Sequence, residues 1–126
     1  LQRAETAATS EAHPFIYAIT RRDLSFEQRA VQLGHALIQL GIEHPLPAGI
    51  EHPSIILCEV KNETQLRNWI IRLNNAQIKH SHFCEPDLQH QLTAIACTPV
   101  YGDQRHFFRT LQLLKATTPK EAAHVG

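Results

Sequence analysis

One imidazole set in a row of glutamines is the part of this sequence best suited to chemistry. Gln28, Gln32, His35 and Gln39 are spaced by four, three and four residues, which on a helix returns each side chain to one narrow arc. An imidazole changes charge near neutral pH and can pass a proton to or from water. A glutamine can hold a water or a carbonyl oxygen, but it is neither a base nor a charge. The stripe starts beside Arg21 and Arg22, and with Arg29 these form a candidate basic patch. Much further along, Glu85 and Asp87 flank Pro86. A carboxylate there can orient a histidine or activate a water. Each feature has a plainer alternative: a surface histidine on an amphipathic helix, and a solvated turn in which Pro and Asp serve the backbone. Thr93 adds a hydroxyl that β propensity alone would also explain.

His80, His82 and Cys84 alternate, so on a strand all three point to one face. Imidazole and thiolate are sound zinc ligands, yet no outlying partner has metal spacing, and the reading is that no metal is bound. The glycine-rich phosphate loops and the G-x-S-x-G elbow are absent from the sequence.

The elements that must position these residues follow from pattern. Phe15 to Thr20 is β-branched and aromatic, as a buried strand should be. Arg21 to Leu24 breaks it, and Ser25 with Gln28 forms an S-x-x-Q capping box. Phe26, Ala30, Leu33, Leu37 and Leu40 then make an apolar stripe opposite the glutamines, and Gly41 suits the left-handed helix end. Ile42 to Pro53 is a proline-bearing surface loop in which Ile-Glu-His-Pro occurs twice by accident. Ser54 to Val60 is a continuous apolar run expected of a strand covered on both faces. Asn62 and Gln65 open a second helix with Leu66, Trp69, Ile70 and Leu73 on its apolar face, ended by Asn74-Asn75. Ile78 to Cys84 and Leu92 to Cys97 are the third and fourth strands, separated by Glu85-Pro86-Asp87. Asp103 is the expected cap of a last helix carrying Phe107, Phe108, Leu111 and Leu114. The order β-α-β-α-β-β-α implies right-handed crossovers and a three-layer α/β/α sandwich on a four-stranded mixed sheet.

A chain of 126 residues suffices for one domain with a real core. That domain is read as 14–115, with a loose arm over 1–13 and a polar tail over 116–126. Twelve basic and twelve acidic residues cancel, which removes the broad footprint of a protein that coats nucleic acid. No apolar run approaches the roughly 20 residues of a membrane span, so no membrane partner is expected. Cys58, Cys84 and Cys97 are an odd set without C-x-x-C spacing and read as reduced thiols in a cytoplasmic protein. The first residues lack the apolar segment of a signal peptide, and Leu1 in place of Met implies a trimmed start.

At the first strand and helix the sequence resembles the type-two peptidyl-tRNA hydrolase family. There a strand ends in R-x-D-L and the next helix carries K-x-A-A-Q-x-x-H-A. Here these are Arg21-Arg22-Asp23-Leu24 and Gln28-Arg29-Ala30-Val31-Gln32-Leu33-Gly34-His35-Ala36. The order of elements agrees as far as a final helix ending in Leu113-Leu114-Lys115, so the resemblance spans about Phe15 to Lys115. Two departures stand out. The family lysine falls on Gln28, and the family's D-x-G-R-T-Q stretch is replaced by Glu85-Pro86-Asp87-Leu88-Gln89-His90-Gln91. The resemblance implies hydrolysis of the ester joining a peptidyl group to the ribose of tRNA. His35 would handle the proton, Asp87 or Glu85 would orient base or water, and Arg21, Arg22 or Arg29 would bind phosphate. Gln28, Gln32 and Thr93 would complete the substrate contacts. It implies a tRNA-linked substrate, a homodimer and no bound cofactor. The alternative is a catalytically silent relative that binds RNA, a nucleotide or a protein.

Overall fold

The β-branched and aromatic run near the start forms strand β1 (Phe15–Arg21), and its side chains part to two faces of a sheet. Helix α1 (Phe26–Glu43), β2 (Ser54–Val60), α2 (Glu63–Asn75) and β3 (His80–Glu85) follow. A 3₁₀ turn (Pro86–Leu88), β4 (Gln91–Cys97), a 3₁₀ helix (Gly102–Phe108) and β5 (Gln112–Leu113) complete the elements of the described residues. These come from a computed structural model that describes residues 13–116. The expected tail beyond 116 and the arm before residue 13 lie outside the described residues. His13 itself is tied down, its ring hydrogen-bonded to the Ser54 hydroxyl at 2.8 Å and 3.1 Å from a Glu51 oxygen.

One open mixed sheet runs in the order β3-β4-β1-β2-β5. β1 and β2 are parallel in the register Ala18↔Leu57, and the other neighbours are antiparallel. On one face α1 buries Leu33, Ala36 and Leu40 against Ile16, Ala18, Ala94 and Ala96. On the other, α2 and the 3₁₀ helix bury Leu66, Trp69, Leu73 and Phe108 against Tyr17, Ile19, Ile95 and Cys97. The expected α/β fold is therefore present, but the sheet has five strands, not four.

The fifth strand corrects the expected last helix. Leu111 packs into the α2-side core and Leu114 into the α1-side core. Three residues apart on a helix, they would share a face. In the extended chain they straddle the sheet edge. Pairing of β5 with Cys58 and Glu59 covers backbone that β2 would otherwise leave open. Only Gly102 to Phe108 is helical, and Asp103 sits inside that turn, not at its cap. Two smaller expectations also shift. The Ser25 hydroxyl accepts from the Gln28 N–H at 3.2 Å, but the Gln28 side chain turns to Gln32 and does not close the box. α1 also runs through Gly41 to Glu43.

α1 is tied to β2 by a buried ion pair. Arg29 donates to Glu59 at 2.7 Å, to the Leu24 carbonyl at 3.1 Å and to the Lys115 carbonyl at 3.2 Å. Both side chains are almost wholly inaccessible. A second polar cluster closes the end of β1. Past the last β1–β4 pair, Thr20↔Ala94, Leu92 is paired with Cys84 of β3 but has no partner from β1. Arg21 donates to the Leu92 carbonyl at 3.1 Å, and the Leu92 N–H donates to Glu63 at 2.8 Å. Arg21 also grips both Asp23 oxygens at 2.9 Å. The Arg21 hydrogen bonds hold the Asp23 carboxyl below its ordinary value, and the Leu92 N–H does the same for Glu63.

The three thiols are unbonded. Burial pushes Cys58 up to about 12 and raises Cys97 as well, so neither supplies a thiolate near neutral pH. Among the described residues no helix is long and apolar enough to cross a membrane.

Removing one partner of the buried pair strands the other charge. Arg29→Ala or Glu59→Ala should each cost about 3–5 kcal/mol in denaturant unfolding, while Arg29→Met with Glu59→Leu recovers most of it. Single variants within about 1 kcal/mol of wild type would show that the pair is solvated. Asp23 and Glu63 have lowered values in the fold, so their stabilisation is present above the unfolded carboxyl range and lost as pH falls through the folded values. The melting-temperature gap between wild type and Asp23→Asn with Glu63→Gln should be widest at neutral pH and close below about pH 4. A gap that does not change down to acid would refute this assignment.

Candidate functional site

The site grows from an irregularity in the β3–β4 ladder. Pairing runs Phe83↔Ala94 and then Cys84↔Leu92, so Thr93 is an extra residue on β4. Such a bulge breaks the alternation of faces. Leu92 goes to the α2 side, while Thr93 joins Ala94 and Ala96 on the α1 side. The freed groups find side-chain partners. The Thr20 hydroxyl donates to the Thr93 carbonyl at 2.8 Å. The Thr93 hydroxyl donates to Gln32 Oε1 at 2.7 Å, with the Phe83 carbonyl at 3.1 Å taking a weaker share of the same proton.

Gln32 is the hub of this network and has no exposed surface. Its amide donates to Glu85 Oε1 at 2.9 Å and to Gln28 Oε1 at 3.0 Å. Because an ionised carboxylate only accepts, Glu85 sets which way the amide of Gln32 points. Its oxygen then faces Thr93, and every polar atom is satisfied. Gln28 turns its oxygen inward to Gln32, so its NH₂ group points outward. The glutamine stripe is thus not opposite the core, as the periodicity suggests. It lies along the flank of α1 that meets β3 and β4, whereas Ala30 of the expected apolar stripe is exposed.

One turn beyond Gln32, the exposed His35 ring stacks on Phe83 at 4.5 Å between centroids and 14° between planes. Stacking fixes the ring face and leaves both nitrogens at its edge. Glu85 accepts from Gln32 with one oxygen and from the Asp87 N–H, at 3.5 Å, with the other. It therefore holds the turn and the hub together. Asp87 is exposed, and its carboxylate accepts no hydrogen bond from the described residues. Among those residues His35 forms no ion pair with either acid.

The structure brings Gln28, Gln32, His35, Glu85 and Thr93 onto one flank, with Asp87 at its rim. The arginines go elsewhere. Arg21 is on the α2 side with Asp23 and Gln91, Arg29 is buried on Glu59, and Arg22 is exposed and donates to Gln112. Arg21 and Arg29 are thereby held inside the fold, away from any phosphate. His80 Nδ1–H donates to the Ile78 carbonyl at 3.0 Å, His82 is exposed, and Cys84 packs in the α2-side core. Among the described residues no three His, Cys, Asp or Glu side chains gather as metal ligands. Thr20, Phe83 and Glu63 are members of these networks that no sequence motif marks. Their part follows from the bulge, which has no signature in composition or period.

Comparison with known proteins adds the fold alone. No family model matches the chain, and no curated protein does. Among solved structures it is similar to the protein of unknown function Atu0240 from Agrobacterium tumefaciens strain C58. That similarity has a TM-score of 0.60 and 13% identity, over 81% of this chain and 98% of that one.

Proposed function

We propose that this chain is a peptidyl-tRNA hydrolase-like protein that hydrolyses a carboxylic ester of a tRNA-linked substrate at the α1–β3–β4 flank. What supports the reading is the convergence of Gln28, Gln32, His35, Glu85 and Thr93, distant in sequence, around one buried amide. Burying a polar hub where apolar packing would serve is a cost usually met at functional sites. In the proposed reaction His35 takes a proton from water as that water adds to the ester carbonyl. The tetrahedral oxyanion then collapses, and the imidazolium returns the proton to the departing ribose oxygen. Asp87, whose carboxylate is uncommitted, orients the water or the ring. The outward NH₂ of Gln28 offers the oxyanion a neutral donor, and Glu85 positions the hub.

The second reading, a silent relative that binds and does not hydrolyse, is favoured by one observation: Arg21 and Arg29 are engaged with Asp23 and Glu59. This flank then lacks the full positive charge that the lysine supplies in the family it resembles. Charge-assisted hydrogen bonds are roughly twice as strong as neutral ones.

Release of peptide from peptidyl-tRNA by the purified protein separates the two. Wild type should turn over slowly, and His35→Ala should lose about a hundredfold or more in kcat. Gln28→Lys should raise turnover, by up to about a hundredfold, because one oxyanion donor can be worth that much. No release by wild type and none gained by Gln28→Lys would give the silent reading the lead.

A further inference from the structure

A separate cavity lies on the α2 side of the sheet, opposite the face that carries His35. β1 and β2 are adjacent and parallel, yet α1 follows the first onto one face and α2 follows the second onto the other. In open α/β sheets the crevice beyond the carboxyl ends of two such strands is where ligands bind. Here a cavity of about 330 Å³ starts beside the end of β2 and runs along α2, between that helix and the segment leading into β5. Its walls carry Arg22, just after β1, and Arg72 from the last turn of α2, with Asn68, Trp69 and Thr110.

The charge in this cavity is unbalanced. Among the described residues Arg21, Arg29 and Arg67 each have an acidic partner, while Arg22 and Arg72 have none. Glu59, which also borders the cavity, has its Oε1 on Arg29 at 2.7 Å. Arg22 rests on the neutral amide of Gln112. Arg72 lies 4.0 Å over the Trp69 ring, a stack that leaves the N–H edge of its guanidinium open. Guanidinium groups from two walls match a tetrahedral dianion better than a single carboxylate, which one arginine can saturate. The volume is at the low end of the roughly 300–1,000 Å³ of ligand cavities, which suits a compact ligand and excludes a dinucleotide.

We propose that this cavity binds a small phosphate monoester, with Arg22 and Arg72 on the phosphate and the amide and hydroxyl wall on its polar remainder. The proposal is independent of the reaction assigned to His35. Trp69, the one tryptophan of the chain, lines the cavity and supplies the readout. Ribose 5-phosphate, inorganic phosphate and ribose would be titrated by tryptophan fluorescence and by calorimetry. Ribose 5-phosphate should bind saturably with Kd below about 1 mM, and ribose should not bind. Arg22→Gln and Arg72→Gln, both at exposed positions, should each weaken binding about tenfold or more while still unfolding cooperatively, and His35→Ala should bind as wild type. Absence of saturable binding, or equal affinity in wild type and the doubly substituted protein, overturns the site. Inorganic phosphate binding as tightly as the ester would overturn the assignment to an ester.

Discussion

The extra residue in β4 is the constraint from which much of this structure follows. A bulge at Thr93 frees a carbonyl in the middle of the sheet, and the end of β1 leaves the backbone groups of Leu92 without a β1 partner. A buried polar group without a partner costs about 1–3 kcal/mol. Four side chains answer that demand: the Thr20 hydroxyl at the Thr93 carbonyl, Arg21 and Glu63 at Leu92, and Gln32 at the Thr93 hydroxyl. They come from β1, α1 and α2, so one local irregularity joins three elements. Gln32 would be out of place in an apolar core, and here it has a partner at every polar atom. Such a network stabilises only when complete, because each missing member strands another.

This explains why α1 differs from α2. α2 packs a broad aromatic surface, with Trp69 near Phe107 and Phe108, and Phe108 stacked on Tyr17 at 4.1 Å. α1 meets a sheet face made largely of alanine, with Ala18, Ala94 and Ala96 beneath Leu33 and Ala36. Small side chains let a helix come close but do little to fix its rotation, since dispersion contacts are non-directional. Directional bonds on both flanks supply that. Arg29 locks to Glu59 of β2 on one side, and Gln32 locks to Glu85 and Thr93 on the other. The buried stripe of α1 therefore reads Arg29, Gln32, Leu33, Ala36, Leu40, and the polar members set the angle at which His35 meets Phe83.

That stripe also shows how far the sequence is legible. β1, β2 and α2 follow from β-branched runs, helical periodicity and the side chains that cap α2. The parallel pairing of β1 and β2 follows from the crossover between them. A pattern of apolar positions assigns polar residues to the solvent side, and so it turns α1 away from its true contacts at Arg29 and Gln32. What decides their burial is pairing with residues thirty and more positions away, which no local period encodes. β5 is hidden for a related reason. A strand of two residues has no alternation to detect, and Leu111 and Leu114 have a spacing that fits a helix as well as a chain crossing a sheet edge. Glu85 is expected to act on His35 or a water; its engagement of Gln32 and of the Asp87 N–H through its two oxygens has no mark in the sequence.

The balance of charge acquires a different meaning once pairing is known. Equal numbers of acids and bases suggest a surface without preference. Three of the acids, however, are committed to particular arginines: Asp23 to Arg21, Glu63 to Arg67 and, in the interior, Glu59 to Arg29. What remains is uneven. Around His35 the exposed polar groups are a neutral amide and the acids of the Glu85–Asp87 turn, which disfavour a polyanion close to that flank. Beside the end of β2 and along α2, Arg22 and Arg72 line a cavity whose bordering acid, Glu59, is paired with Arg29. The place best arranged for moving a proton and the place best arranged for holding an anion are therefore on opposite faces of the sheet. A tRNA-linked substrate at His35 would have to present its ester there while its phosphates lie beyond the flank, so the ester end, not the nucleic acid backbone, would carry recognition at that site.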